Sequence, residues 1–102
     1  MRFILKVSIP MEPFNTYVRD GSAGKRVARI LEDIRPEAVY FWEEEGLRGG
    51  ILVVDLPDPS KIPALAEPWF LSFNATVQLR PTMTPEDLAK AGLEALGARY
   101  AK

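Results

Sequence analysis

Ala38-Val-Tyr-Phe-Trp-Glu-Glu-Glu-Gly46-Leu-Arg-Gly-Gly50-Ile-Leu-Val-Val-Asp-Leu56 reads as two β-rich runs around a glycine-bracketed loop, the pattern of a β-hairpin. Placing the loop at Gly46 to Gly49 sets Glu45 opposite Gly50. In that register Tyr40, Trp42 and Glu44 share one face with Ile51, Val53 and Asp55, because successive strand residues alternate sides. Val39, Phe41 and Glu43 lie with Leu52, Val54 and Leu56 on the other face, which is almost wholly apolar and is expected to receive the helices. The first face mixes aromatic rings, aliphatic chains and two carboxylates, which suits neither a dry core nor open solvent. A loop one residue longer would slip the pairing and exchange one strand's faces.

The whole chain bounds what this hairpin can belong to. With 102 residues it is expected to form one domain over 1–102, which buries about 60–70% of the surface it exposes unfolded. Apolar residues at 47% and charged residues at 26% are ordinary globular values, so disorder is not indicated. Thirteen basic against 14 acidic residues leave a formal net charge of −1, which gives no global field for nucleic acid or an anionic membrane. The chain has no cysteine and no histidine. Thiolate chemistry, disulfides and imidazole as base, haem ligand or zinc ligand are thereby excluded, and neither a cofactor nor a metal is expected. No run has the length of a membrane span or the pattern of a signal peptide, so a cytoplasmic location without membrane association is the expectation.

Outward from the hairpin, residues 2 to 9 alternate as a strand, with Phe3, Leu5, Val7 and Ile9 on one face and Ile4, Lys6 and Ser8 on the other. Between Glu12 and Ile34 the spacing turns helical, and Ala23, Val27, Ile30, Leu31 and Ile34 make one apolar stripe. Gly21 and Gly24 weaken its middle, so the helix is expected to start at Ser22 as N-cap after a looser turn around 14–19. Asp58 and Pro59 open a short helix bearing Ile62, Leu65, Ala66 and Trp69, which Pro63 and Pro68 should keep short or irregular. Residues 74 to 80 alternate again, Ala75, Val77 and Leu79 against Asn74, Thr76, Gln78 and Arg80. Thr84-Pro85-Glu86-Asp87 then starts a C-terminal helix, within an extension over 83–102, that runs to about Leu96 with Gly97 ending it.

The order strand, helix, strand, strand, helix, strand, plus a terminal helix, predicts an α+β domain of ferredoxin-like β-α-β-β-α-β type, with an antiparallel sheet and both helices on one face. The bare face would carry Ile4, Lys6, Ser8, Tyr40, Trp42, Glu44, Ile51, Val53, Asp55, Asn74, Thr76 and Gln78. An exposed patch holding Trp42, Ile51 and Val53 marks an interface or a ligand site, and a second sheet is its simplest cover.

At this point the chain resembles the dimeric α+β barrel superfamily, in which two ferredoxin-like subunits set sheet against sheet around a central cavity. The likeness covers residues 1–88. Val53-Val-Asp-Leu-Pro-Asp-Pro-Ser60, Glu67-Pro-Trp-Phe70 and Ala75-Thr-Val-Gln-Leu-Arg-Pro81 look like the second half of small muconolactone-isomerase-like proteins. Pro81-Thr-Met-Thr-Pro-Glu-Asp-Leu88 is similar to several uncharacterised families of the same fold. The resemblance implies a homodimer and carries over no catalytic residue. Haem-degrading members typically use a histidine, which this chain lacks.

On the bare face, Glu44 and Asp55 with Lys6 and Tyr40 are the candidates for acid–base catalysis, since burial beside Trp42 would raise a carboxylate's pKa toward neutrality. Trp42, Ile51, Val53, Asn74 and Thr76 would line the ligand cavity, with Trp69 as a wall at its mouth. The plainer reading makes Lys6–Glu44 an interface ion pair, leaves Asp55 solvated at a strand end, and buries Trp69-Phe70-Leu71-Ser-Phe73 as core packing. Glu43, Glu44 and Glu45 cannot converge on one metal from a strand, because the middle carboxylate points away. Gly21-Ser-Ala-Gly24-Lys25-Arg26 has the GxxG form of an RNA-clamping loop, but Asp20 precedes it and Lys25, Arg26 and Arg29 suit the solvated side of a helix.

The leading expectation is a homodimer binding a small organic molecule in a partly apolar cavity, with cofactor-free isomerisation of a small lactone or acid as the reaction. The alternative is a non-enzymatic dimerisation or binding module in which the bare sheet serves assembly alone. RNA binding is the third and weakest reading, and no nucleic-acid partner is expected.

Overall fold

A computed structural model describes residues 1–101. Its elements in chain order are β1 (Arg2–Ile9), α1 (Met11–Asp20), α2 (Ala23–Ile34), β2 (Ala38–Glu44), β3 (Leu47–Asp55), a 3₁₀ turn (Pro59–Lys61), α3 (Ile62–Phe73), β4 (Thr76–Pro81), α4 (Pro85–Ala89) and α5 (Leu93–Arg99). The four strands form one antiparallel sheet in the order β2-β3-β1-β4, the ferredoxin-like arrangement that the element order predicts. Phe3, Leu5, Val7, Leu52, Val54, Val77 and Leu79 point to the side where α1, α2 and α3 pack. The core closes on Trp69 and Phe73 of α3, both 0% exposed. Phe73 meets Phe14 in a tilted contact, ring centres 5.1 Å apart, and lies 6.2 Å from Tyr17, so α1 and α3 meet through rings. The aromatic run of α3 therefore divides: Trp69 and Phe73 are core, while Phe70 and Leu71 face outward.

The hairpin loop is shorter than the sequence suggests. Glu44 pairs with Leu47, Trp42 with Gly49 and Tyr40 with Ile51, so only Glu45 and Gly46 form the turn. Both have positive φ, 54° and 78°, as a two-residue type I′ turn demands. The Glu43 carboxylate accepts a hydrogen bond from Gly46 N at 3.0 Å and fixes the corner. Gly49 and Gly50 belong to β3, where the rings of Trp42 and Phe41 occupy the space their side chains would need. The pairing moves by an even number of residues from the expected register, so every side chain keeps its predicted face.

Other boundaries differ for local reasons. The first helical region is two helices: Gly21, at φ 81°, ends α1, and Ser22 precedes α2 without capping it, its hydroxyl accepting from Arg26 Nε at 3.0 Å instead. Residue Glu12 is extended, and its carboxylate accepts from Thr16 N and Oγ1 at 3.0 and 2.9 Å, capping the regular part of α1. Pro63 sits in the first turn of α3, and the helix continues through Pro68 for 12 residues rather than staying short. Asn74 is the left-handed cap of α3 at φ 54° and not a strand residue, so β4 begins at Thr76. The terminal helix breaks at Gly92, φ 74°, and α5 runs through Gly97, which keeps negative φ.

Thr84 and Asp87 make both bonds of a capping box at the start of α4. Beyond it α4 and α5 bury no residue and leave Leu88, Leu93 and Leu96 exposed. The radius of gyration is 17.4 Å, against about 13 Å for a compact chain of this length. The excess is this arm, which reaches away from the domain.

Candidate functional site

Three cross-strand rows make the bare face: Ala38–Val53–Ile4–Arg80, Tyr40–Ile51–Lys6–Gln78 and Trp42–Gly49–Ser8–Thr76. No helix covers these rows. Tyr40 is 72% exposed and Trp42 44%, while Ile4, Ile51 and Val53 shelter one another in half-buried positions.

The sequence-derived candidates divide into two groups. Lys6 Nζ lies 2.6 Å from Glu44 Oε2 and 5.7 Å from the Trp42 ring centre, so Lys6, Glu44 and Trp42 form one cluster. It forms because Gly49 offers no side chain between them. The Tyr40 ring stands in the same row as Lys6, separated by Ile51. Asp55 lies at the far end of β3, opposite Arg2, with its carboxylate 2.9 Å from the Met1 amine. That hydrogen bond, reinforced by the ammonium charge, holds the Asp55 carboxyl below the usual aspartate range. Within one chain Glu44 and Asp55 therefore stand at opposite ends of β3. Of the proposed lining residues, Ile51, Val53 and Thr76 share the face with Trp42, Asn74 lies outside the strands, and Trp69 is sealed on the opposite side of the sheet.

Glu43, Glu44 and Glu45 diverge: Glu43 bonds the turn, Glu44 reaches Lys6, and Glu45 sits in the turn itself. In the GxxG segment, Arg26 stacks on Tyr17 at 3.7 Å rather than lying free beside the loop.

A second constellation lies at the edge of the sheet and escaped the sequence reading. The helices stop short of β2, leaving Phe41 54% exposed on the helix side. Between Phe41 and the α1–α2 junction opens a groove of about 360 Å³ walled by Ile9, Phe14, Val27 and Gly24. Arg48 sits in its wall, donating to Asn15 Oδ1 at 2.7 Å with its guanidinium 4.8 Å from the Phe14 ring. The available signal was a cation at a position whose parity points to an otherwise apolar face.

Residues 1–96 match a family model described as a domain of unknown function (DUF3303). No curated protein matches the chain. Among the described residues no helix is long and apolar enough to cross a membrane.

Proposed function

Because the chain belongs to the DUF3303 family, whose function is unknown, we propose its role from the geometry of its sheet: a homodimer that sets bare sheet against bare sheet and holds a small, partly apolar organic molecule between them. The observation that carries this reading is the uncovered row Tyr40–Ile51–Lys6 beside Trp42, an aromatic and aliphatic surface with no helix over it. The ferredoxin-like strand order, and the likeness to dimeric α+β barrels and their muconolactone-isomerase-like members, support the same arrangement. Four strands at about 4.8 Å spacing and six residues at about 3.3 Å rise present roughly 400 Å² in projection. A standard interface takes about 800 Å² of accessible surface per partner. The arm of α4 and α5, with Leu88, Leu93 and Leu96 exposed, extends the contact onto the second copy.

Binding is favoured over isomerisation. The Lys6–Glu44 pair satisfies both charges, and the second carboxylate the chemistry would use lies at the other end of the strand. The test is the mass in solution by light scattering over a range of dilutions. The expected result is twice 11.4 kDa for the wild type and 11.4 kDa for Ile51→Lys, which places a charge at the centre of the face while leaving the core intact. A wild type that stays at 11.4 kDa at all concentrations overturns the proposal.

A further inference from the structure

We infer that the groove between Phe41 and the α1–α2 junction is a binding site for a small apolar carboxylic acid, held by its carboxylate on Arg48. The site lies within one chain at the β2 edge; it shares Trp42 with the face proposed for the dimer, so the two are separated by testing binding on Ile51→Lys.

Arg48 is half-buried, and among the described residues no carboxylate stands within 4.0 Å of it. Among the described residues its one hydrogen-bonding side-chain partner is the neutral amide oxygen of Asn15. Glu43 stands directly across the ladder, yet its carboxylate is spent on Gly46 N in the turn. A half-buried guanidinium with a neutral partner keeps unused donors in a fixed fork, the geometry that takes a carboxylate with two parallel bonds. Around it the walls are apolar: Ile9, Phe14, Ala23, Val27 and Phe41, with Trp42 at the boundary with the bare face. The volume of about 360 Å³ falls within the ~300–1,000 Å³ of small-ligand clefts. One fixed cation in an apolar cleft selects a molecule with one anionic end and a flat or aliphatic body. A larger hollow, about 500 Å³, lies by Arg2, Asp55 and Asp87, but each of those charges already has a partner in Glu37, the Met1 amine or Thr84.

The probe is 2-naphthoate beside its methyl ester, titrated into the full chain and followed by Trp fluorescence and backbone amide shifts. Saturable binding of the acid is expected, with amide shifts at Phe14, Gly24 and Arg48. Arg48→Met should weaken the acid about 10- to 100-fold and leave the ester unchanged. Gly24→Leu should abolish binding of both by filling the groove. A Cβ at residue 24 meets nothing within 4 Å, so the substitution begins without a clash, and the variant's amide spectrum checks its fold before titration. Ile51→Lys should bind as the wild type, which separates this site from the dimer interface. Equal affinity for acid and ester, undiminished binding to Gly24→Leu, shifts confined to Ile4 and Val53, or no saturation up to about 1 mM would each overturn the inference.

Discussion

The indole of Trp42 covers Gly49 so closely that a Cβ at residue 49 would stand 3.2 Å from Nε1, and 2.7 Å from the Val7 carbonyl oxygen. The second contact is with backbone, which cannot rotate away. Gly49→Ala is therefore expected to push β3 from β1 and cost about 1–3 kcal/mol. At Gly50 the neighbour is the exposed Phe41 ring, 3.2 Å away, which can swing outward. Gly50→Ala should cost clearly less, and urea unfolding of the two variants measures the difference. Equal losses would refute the distinction between backbone and side-chain obstruction.

The Lys6–Glu44 pair is short at 2.6 Å, but its side chains remain 31% and 42% exposed in the single chain. Exposed pairs contribute about 0.2–1 kcal/mol, because solvent screens them and ordering two long chains costs entropy. A Lys6→Ala, Glu44→Ala double-mutant cycle at dilutions where light scattering reads the single-chain mass should return a coupling in that range. In the proposed dimer, burial beneath a second sheet would raise the coupling, so repeating the cycle on the chain at high concentration should give a larger value. The same coupling at both concentrations would argue that the pair lies outside the interface.

Trp69 is wholly buried, and its indole N–H has no partner among the described residues. An unpaired buried donor costs about 1–3 kcal/mol. Trp69→Phe removes that donor along with part of the ring, so relief of the desolvation offsets the cavity. Its loss should fall well below the ~3–5 kcal/mol of Phe73→Ala, which empties the meeting point of α1 and α3 with nothing gained. Thermal and urea unfolding of both variants check the order.

How far the chain could be read beforehand depended on the range of the interaction involved. Alternation along each strand is local, so the faces holding Lys6, Tyr40, Trp42, Ile51 and Val53 were legible from sequence. The register was not: Gly49 looks like a loop residue until Trp42 is seen to need its space across the ladder. Asn74 fits a strand by alternation, yet takes the left-handed turn that ends α3. The groove at Arg48 depends on where α1 and α2 stop relative to β2, a tertiary distance that no residue pattern encodes.

Acid should loosen the start of the arm before it affects the core. Asp87 is held below the usual aspartate range first by the Thr84 backbone N–H and then by the Thr84 hydroxyl. A lowered folded pKa means that the capping contribution is fully present above the unfolded value, about 3.9, and is lost as pH falls through the lower folded value. Carboxyl shifts of Asp87 followed by NMR should titrate below the free-aspartate value. The amides of α4 should lose helical character over the same interval. Titration at or above the free value would remove the capping box from solution.

The arm itself gives a sharper test, because a segment that buries nothing in its own domain can matter only through something else. α4 and α5 leave Leu88, Leu93 and Leu96 exposed, so a chain ended after Met83 loses no core contact. On the Ile51→Lys background, expected to be monomeric, this truncation should change stability by no more than about 0.5 kcal/mol, the range of surface changes. If the proposed dimer forms through the arm, the truncation should shift the otherwise unaltered chain toward monomer by about 25 cal/mol per Å² of apolar contact withdrawn. Urea unfolding and sedimentation across a dilution series read the two effects separately. Destabilisation of the monomer would mean that the arm folds back onto its own sheet. An unchanged dimer constant would mean that the leucines do not contribute to self-association.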